Sequence, residues 1–114
     1  MNVTKQEIYG FAVKWLVKYQ NNNTPEHELE GLFGQDCFSL GFAMDCGEGF
    51  ITRYGEAPFQ NAVELQKVSN IVVDIELLTS AIFSHWRYYT HWACSPLDRE
   101  WFVVALTKLK ELAE

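Results

Sequence analysis

A mainly α-helical fold is what this sequence predicts, on three observations. Apolar residues recur at helical spacing from Ile8 to Tyr19, from Ile75 to Ala93 and from Leu97 to Leu112. A start signal stands before each stretch: Thr4 with Glu7, then Asp74, then Ser95-Pro96 with Asp98. The one strand-like alternation, Phe38, Leu40, Phe42 and Met44, has no obvious third strand to complete a sheet. The expected architecture is a compact single-domain bundle of about five helices over residues 1–114. In it 75–93 and 96–113 form a hairpin against the first helix. The alternative is an α+β fold with a short hairpin near 36–54.

The elements follow in order. Thr4 and Glu7 make a capping box, after which Ile8, Phe11, Ala12, Trp15, Leu16 and Tyr19 share one face, with Lys14 and Lys18 opposite. The run "QNNN" ends this helix. Thr24 and Pro25 read as the cap and first-turn proline of a short acidic helix, "EHELEGLFG", whose glycines are expected to stop it early. Residues 36–44, "DCFSLGFAM", fit both periods, and a helical turn or extended link is expected there.

In "FAMDCGEGFITRYG", residues 42–55, Asp45 and Glu48 read as a capping pair ahead of Phe50, Ile51 and Tyr54, with Cys46 at the first helical position. Gly47 and Gly49 weaken such a helix by up to about 1 kcal/mol each against alanine, which suits a close approach by another group. Residues 59–73 place Ala62, Leu65, Val68, Val72 and Val73 on one helical face. Asp74 then caps a long helix with two adjoining apolar sectors. Ile75, Leu78, Ile82, Trp86, Tyr89 and Ala93 form one and Leu77, Ala81, Tyr88 and Trp92 the other, so neighbours are expected on two sides. In the last helix Trp101, Ala105, Leu109 and Leu112 face the core.

Composition narrows the class. With 48% hydrophobic and 15% aromatic residues, 114 residues can build a core without metal or disulfide staples. No apolar run reaches the roughly 18 residues of a membrane span, and "MNVTKQEIYG" lacks the pattern of a signal peptide. Three sparse cysteines, Cys37, Cys46 and Cys94, suit reduced thiols. A cytoplasmic protein without membrane contact is expected. The net charge of -6 is concentrated: between Glu26 and Glu64 eight acids stand against one base, Arg53. Such a surface disfavours nucleic acid and attracts basic partners, besides giving solubility.

Candidate contacts come from two regions. On the long helix Ser84, Arg87 and His91 stand at i, i+3 and i+7, flanked by Ser80, on a polar stripe that reads as a solvent face or as a ligand- or partner-contacting one. Trp92, with Tyr88 and His85, sits at its boundary in a segment rich in the residue types of binding hot spots. Phe38 and Phe42 beside Glu26, Glu28 and Glu30 form the second region. His85, His91 and Cys94 lack the spacing of zinc ligands, His27 reads as a solvated surface histidine, and Cys46 has no histidine beside it; no metal, cofactor or catalytic residue is expected.

The composition therefore fits a small acidic interaction protein, non-catalytic, that binds a basic protein partner. Inhibitors and immunity-type factors of mobile elements or phages are proteins of this kind, and self-association into a homo-oligomer stays open. The alternative is a small-ligand binder or enzyme that uses Arg87, His91 and a cysteine around an aromatic pocket.

Overall fold

The computed structural model describes residues 2–92 and 98–114, with the backbone alone at 91 and 92. Within them lie seven α-helices: α1 (Lys5–Gln20), α2 (Phe33–Ser39), α3 (Glu48–Tyr54), α4 (Glu56–Gln60), α5 (Ala62–Val68), α6 (Ile75–Arg87) and α7 (Arg99–Ala113). A π-helical turn, Glu28–Leu32, leads into α2, and a second, Tyr88–Trp92, extends α6. The fold is mainly α, with more and shorter helices than expected. No strand occurs among the described residues, which removes the hairpin alternative for 36–54.

Helix α1 starts where its capping box places it: the Thr4 hydroxyl accepts the Glu7 N–H at 3.1 Å and the Glu7 carboxylate accepts the Thr4 N–H at 3.2 Å. Its buried face, Ile8, Phe11, Ala12, Trp15 and Tyr19, meets α7 along much of its length. The pair runs antiparallel, because Arg99 at the start of α7 donates to the carbonyls of Asn21 and Thr24 just past the end of α1. Thr24 does not open the next helix. Its hydroxyl instead donates to the Lys18 carbonyl at 2.7 Å and closes α1.

The glycines of "EHELEGLFG" do not stop a helix either. The chain passes Gly31 in the π turn and Gly34 in the first turn of α2, which rests on α6. Gly34 is there for space: a Cβ at this position would run into the Trp86 ring. The indole N–H of Trp86 donates to the Glu30 carbonyl at 2.9 Å and locks the turn to α6. Phe33 forms the centre of the core, its ring 5.1 to 5.5 Å from those of Trp15, Tyr19, Phe102 and Phe11.

The expected single helix over 59–73 is two. Asn61, in extended backbone, ends α4 and caps α5 by accepting the N–H groups of Val63 and Glu64. Asp74 caps α6 as expected, accepting the Leu77 N–H at 3.1 Å. In α7 the cap is Asp98, which accepts the Trp101 N–H, so the helix begins at Arg99; Ser95, Pro96 and Leu97 lie outside the described residues. Trp15, Ile82, Trp86 and Trp101 are buried, while Tyr89 is only partly so.

Candidate functional site

Helix α6 carries two of the candidate groups, Ser84 and Arg87, with Ser80 one turn before them. Ser80 and Ser84 are not on the solvent face: both are buried, beneath the loop 42–47. The loop is held there by Asp45, whose Oδ1 accepts from the Ser80 hydroxyl at 2.7 Å and from Ser84 at 3.4 Å. The same carboxylate accepts the N–H of Gly47 and, through Oδ2, that of Gly49. Asp45 thus supports the start of α3 from two residues before its N-cap, Gly47, and Cys46 precedes the helix instead of opening it. Partial burial would raise the Asp45 carboxyl, but the hydrogen bonds from Ser80, Gly49 and Gly47 outweigh it and hold the group below its ordinary value.

The turn that results is tight. Cys46 and Gly47 both take left-handed backbone, at φ 59° and 77°, and a side chain at Gly47 would strike the Phe59 ring at 2.6 Å. Cys46 is left exposed at the edge of a cavity of about 600 Å³ whose other walls are Met44, Phe59, Ser84, Arg87 and Tyr88. Arg87 also borders a groove of about 550 Å³ along the seam where residues 30–39 pack on α6. Phe83 and Trp86 line it from α6, with Glu30, Gly34 and Phe38 facing them. Phe38 is 76% exposed beside it.

Several candidates therefore come together and several do not. Glu30, Phe38 and Arg87 share the groove; Ser84 and Arg87 share the cavity with Cys46. Phe42 is no surface contact: it is buried, with its ring edge-on to Phe11 at 5.0 Å, because the backbone after α2 turns inward at Gly41. Glu28 is paired with Lys18, Asp36 with Lys14 and Glu64 with Lys67, so helix faces supply cations to part of the acidic region. Glu26, Glu30, Glu48 and Glu56 stay exposed. The side chains of His91 and Trp92, and all of Cys94, lie outside the described residues.

Sequence reasoning missed the role of His85, placed at a boundary and found in the core at 1% exposure. Its ring stacks on Trp101 at 3.7 Å, and its Nδ1 lies 2.8 Å from the Phe59 carbonyl. A carbonyl only accepts, so Nδ1 carries the proton and Nε2 is an unprotonated, buried nitrogen without a partner. Burial lowers the His85 pKa to about 3 against the smaller opposing effect of the Phe59 bond. Cys37 is also buried, which pushes its thiol well up and makes it a packing group.

A further hollow of about 600 Å³ lies between the end of α1, α5 and α7, lined by Tyr19, Val63, Lys67, Arg99 and Val103 among others. Its cations are engaged, Arg99 on two carbonyls and Lys67 on Glu64. Among the described residues no group of three or more His, Cys, Asp or Glu is placed to hold a metal ion, and no helix is long and apolar enough to cross a membrane. Comparison with family models, curated proteins and solved structures found no match to this chain.

Proposed function

We propose that the protein is a small interaction module without catalytic chemistry, which seats a protein partner in the groove between residues 30–39 and α6. The observation that carries this reading is Phe38. A phenylalanine side chain left in water forgoes roughly 1.5–3 kcal/mol that burial would supply, and this one stands at a groove lined by Phe83 and Trp86. Aromatic and arginine side chains around a concave surface are the composition of an interface core. Glu30 lines the same groove and Glu26 is exposed one turn earlier in the sequence, so an apolar side chain flanked by basic residues is the complement.

The chemistry-bearing residues support a non-catalytic role by what they already do. Ser80 and Ser84 hold Asp45, the His85 Nδ1–H is committed to Phe59, and the Cys37 thiol is core. A stoichiometric binder of this size acts by covering part of its partner, as an inhibitor or immunity-type factor does.

The test is a photo-crosslinking amino acid placed at Phe38 and, as control, at Val73, which is exposed and apolar but outside the groove. The reading expects one protein crosslinked from position 38 and not from 73, with capture slowed by Glu30→Lys. Equal crosslinking from both positions would remove the groove as a docking site. Capture of a second copy of this chain alone would make it a self-association face.

A further inference from the structure

We infer that the cavity beside Arg87 is a binding site for a small apolar carboxylic acid. The inference rests on a different hollow from the docking groove, with Arg87 bordering both. At about 600 Å³ the cavity falls within the roughly 300–1,000 Å³ of small-molecule sites. Met44, Phe59 and Tyr88 give it apolar walls; Met44 and Tyr88 are themselves exposed, and an unbranched thioether adapts to a ligand's shape.

Charge selects the ligand's head group. In a chain of net charge -6, Lys14, Lys18, Lys67 and Lys108 each pair with a carboxylate, and Arg99 is held by two backbone carbonyls. Arg87 has no carboxylate partner among the described residues and is exposed at the cavity wall. Asp45, adjacent in sequence to Cys46 of the cavity wall, does not neutralise the site by pairing with Arg87. Its oxygens receive Ser80, Gly47 and Gly49 instead. A planar guanidinium offers two parallel N–H donors, the geometry a carboxylate fills. Ser84 provides a further hydroxyl, since its bond to Asp45 is long at 3.4 Å and a ligand oxygen can compete for it.

The wall is also built in advance. Hydrogen bonds from two backbone amides and from the α6 serines fix the 45–49 turn, so little ordering remains to be done when a ligand arrives. A single carboxylate on an aryl or alkyl body of about ten carbons matches one cation in an otherwise apolar hollow.

The experiment compares phenylbutyrate with its neutral alcohol, phenylbutanol, by calorimetric titration of the full chain at neutral pH. In parallel, alkylation of Cys46 by iodoacetamide is followed from the mass of its peptide. The acid should bind at least about tenfold more tightly than the alcohol, the difference one charge-assisted pair supplies. Arg87→Met should bring the acid to the affinity of the alcohol and leave the alcohol unchanged. Because Arg87 is exposed, an unaltered melting curve will show that this variant folds. Saturating acid should slow Cys46 alkylation several-fold in the parent chain. Equal binding of acid and alcohol, no saturation at millimolar acid, or a preference that survives Arg87→Met overturns the proposal. So does acid binding that leaves Cys46 alkylation unchanged, since the acid is then elsewhere.

Discussion

An imidazole at 1% exposure makes stability depend on pH, and His85 shows how. Unfolded, the ring titrates at about its ordinary 6.5; folded, burial lowers it to about 3. Above pH 6.5 both states are neutral there and the native state bears no penalty. Between 6.5 and 3 only the unfolded chain takes the proton, so stability falls by up to about 1.4 kcal/mol per pH unit. Denaturant unfolding at pH 7 and pH 4.5 should show a loss of about 2.5 kcal/mol beyond that of His85→Phe, which cannot titrate. Asp45 acts in the same sense at lower pH: its folded value is depressed, so its contribution is present above 3.8 and is lost as pH falls through the folded value. Asp45→Ala should cost about 0.5–2 kcal/mol by the loss of its backbone caps, and Asp45→Asn less, since one amide oxygen can still accept from Ser80 and Gly47 but not also from Gly49. The sequence showed Asp45 as a support for the start of α3, because its bonds to Gly47 and Gly49 are local, but it placed the N-cap at Asp45 and not at Gly47. It could not show Ser80 or Ser84, whose partner lies 35 and 39 residues away. Serines on a polar stripe look alike whether water or a returning loop covers them.

Whole elements were legible where their ends carry side-chain signals. The Thr4–Glu7 box and Asp74 mark α1 and α6, and each bonds the backbone as its spacing requires; for α7 the cap is Asp98, which the sequence placed inside the helix. Helix α2 was not legible, because Gly31 and Gly34 resemble stop signals and the reason for Gly34, the Trp86 ring, belongs to another helix. Gly34→Ala puts a methyl group into that ring and should destabilise the fold by about 1–3 kcal/mol as an overpacking change. Trp86→Ala should cost about 3–5 kcal/mol by thermal unfolding, since it empties the same contact and leaves the Glu30 carbonyl without the indole. If close packing is the reason for Gly34, the two losses will not add: in the double variant the alanine methyl occupies vacated space, and the total falls short of the sum by about 1 kcal/mol or more. Full additivity would mean that the glycine serves the backbone at the start of α2 and not the ring.

At the scale of the whole molecule, a radius of gyration of 12.7 Å is that of a compact chain, near the roughly 13 Å expected for this length. The long helices α1 and α7 are buried against each other and α6 packs on α7, so the short helices α2 and α3 decide what α6 presents to solvent. Charge follows the same division. The acidic excess was legible as a run, but the lysines of α1 neutralise Glu28 and Asp36 from outside it, leaving Glu26 and Glu30 as the exposed acids ahead of α2. Reversing those two to lysine should slow association with the crosslinked partner at low salt, while at high salt screening within about 8 Å or less should bring the rates together. The most direct test of the docking groove is the dissociation constant of that partner for Phe38→Ala and Val73→Ala, with melting curves confirming that both variants fold. The groove predicts a loss of at least tenfold, about 1.4 kcal/mol, for Phe38→Ala and none for Val73→Ala. Equal affinities for the two variants would contradict it.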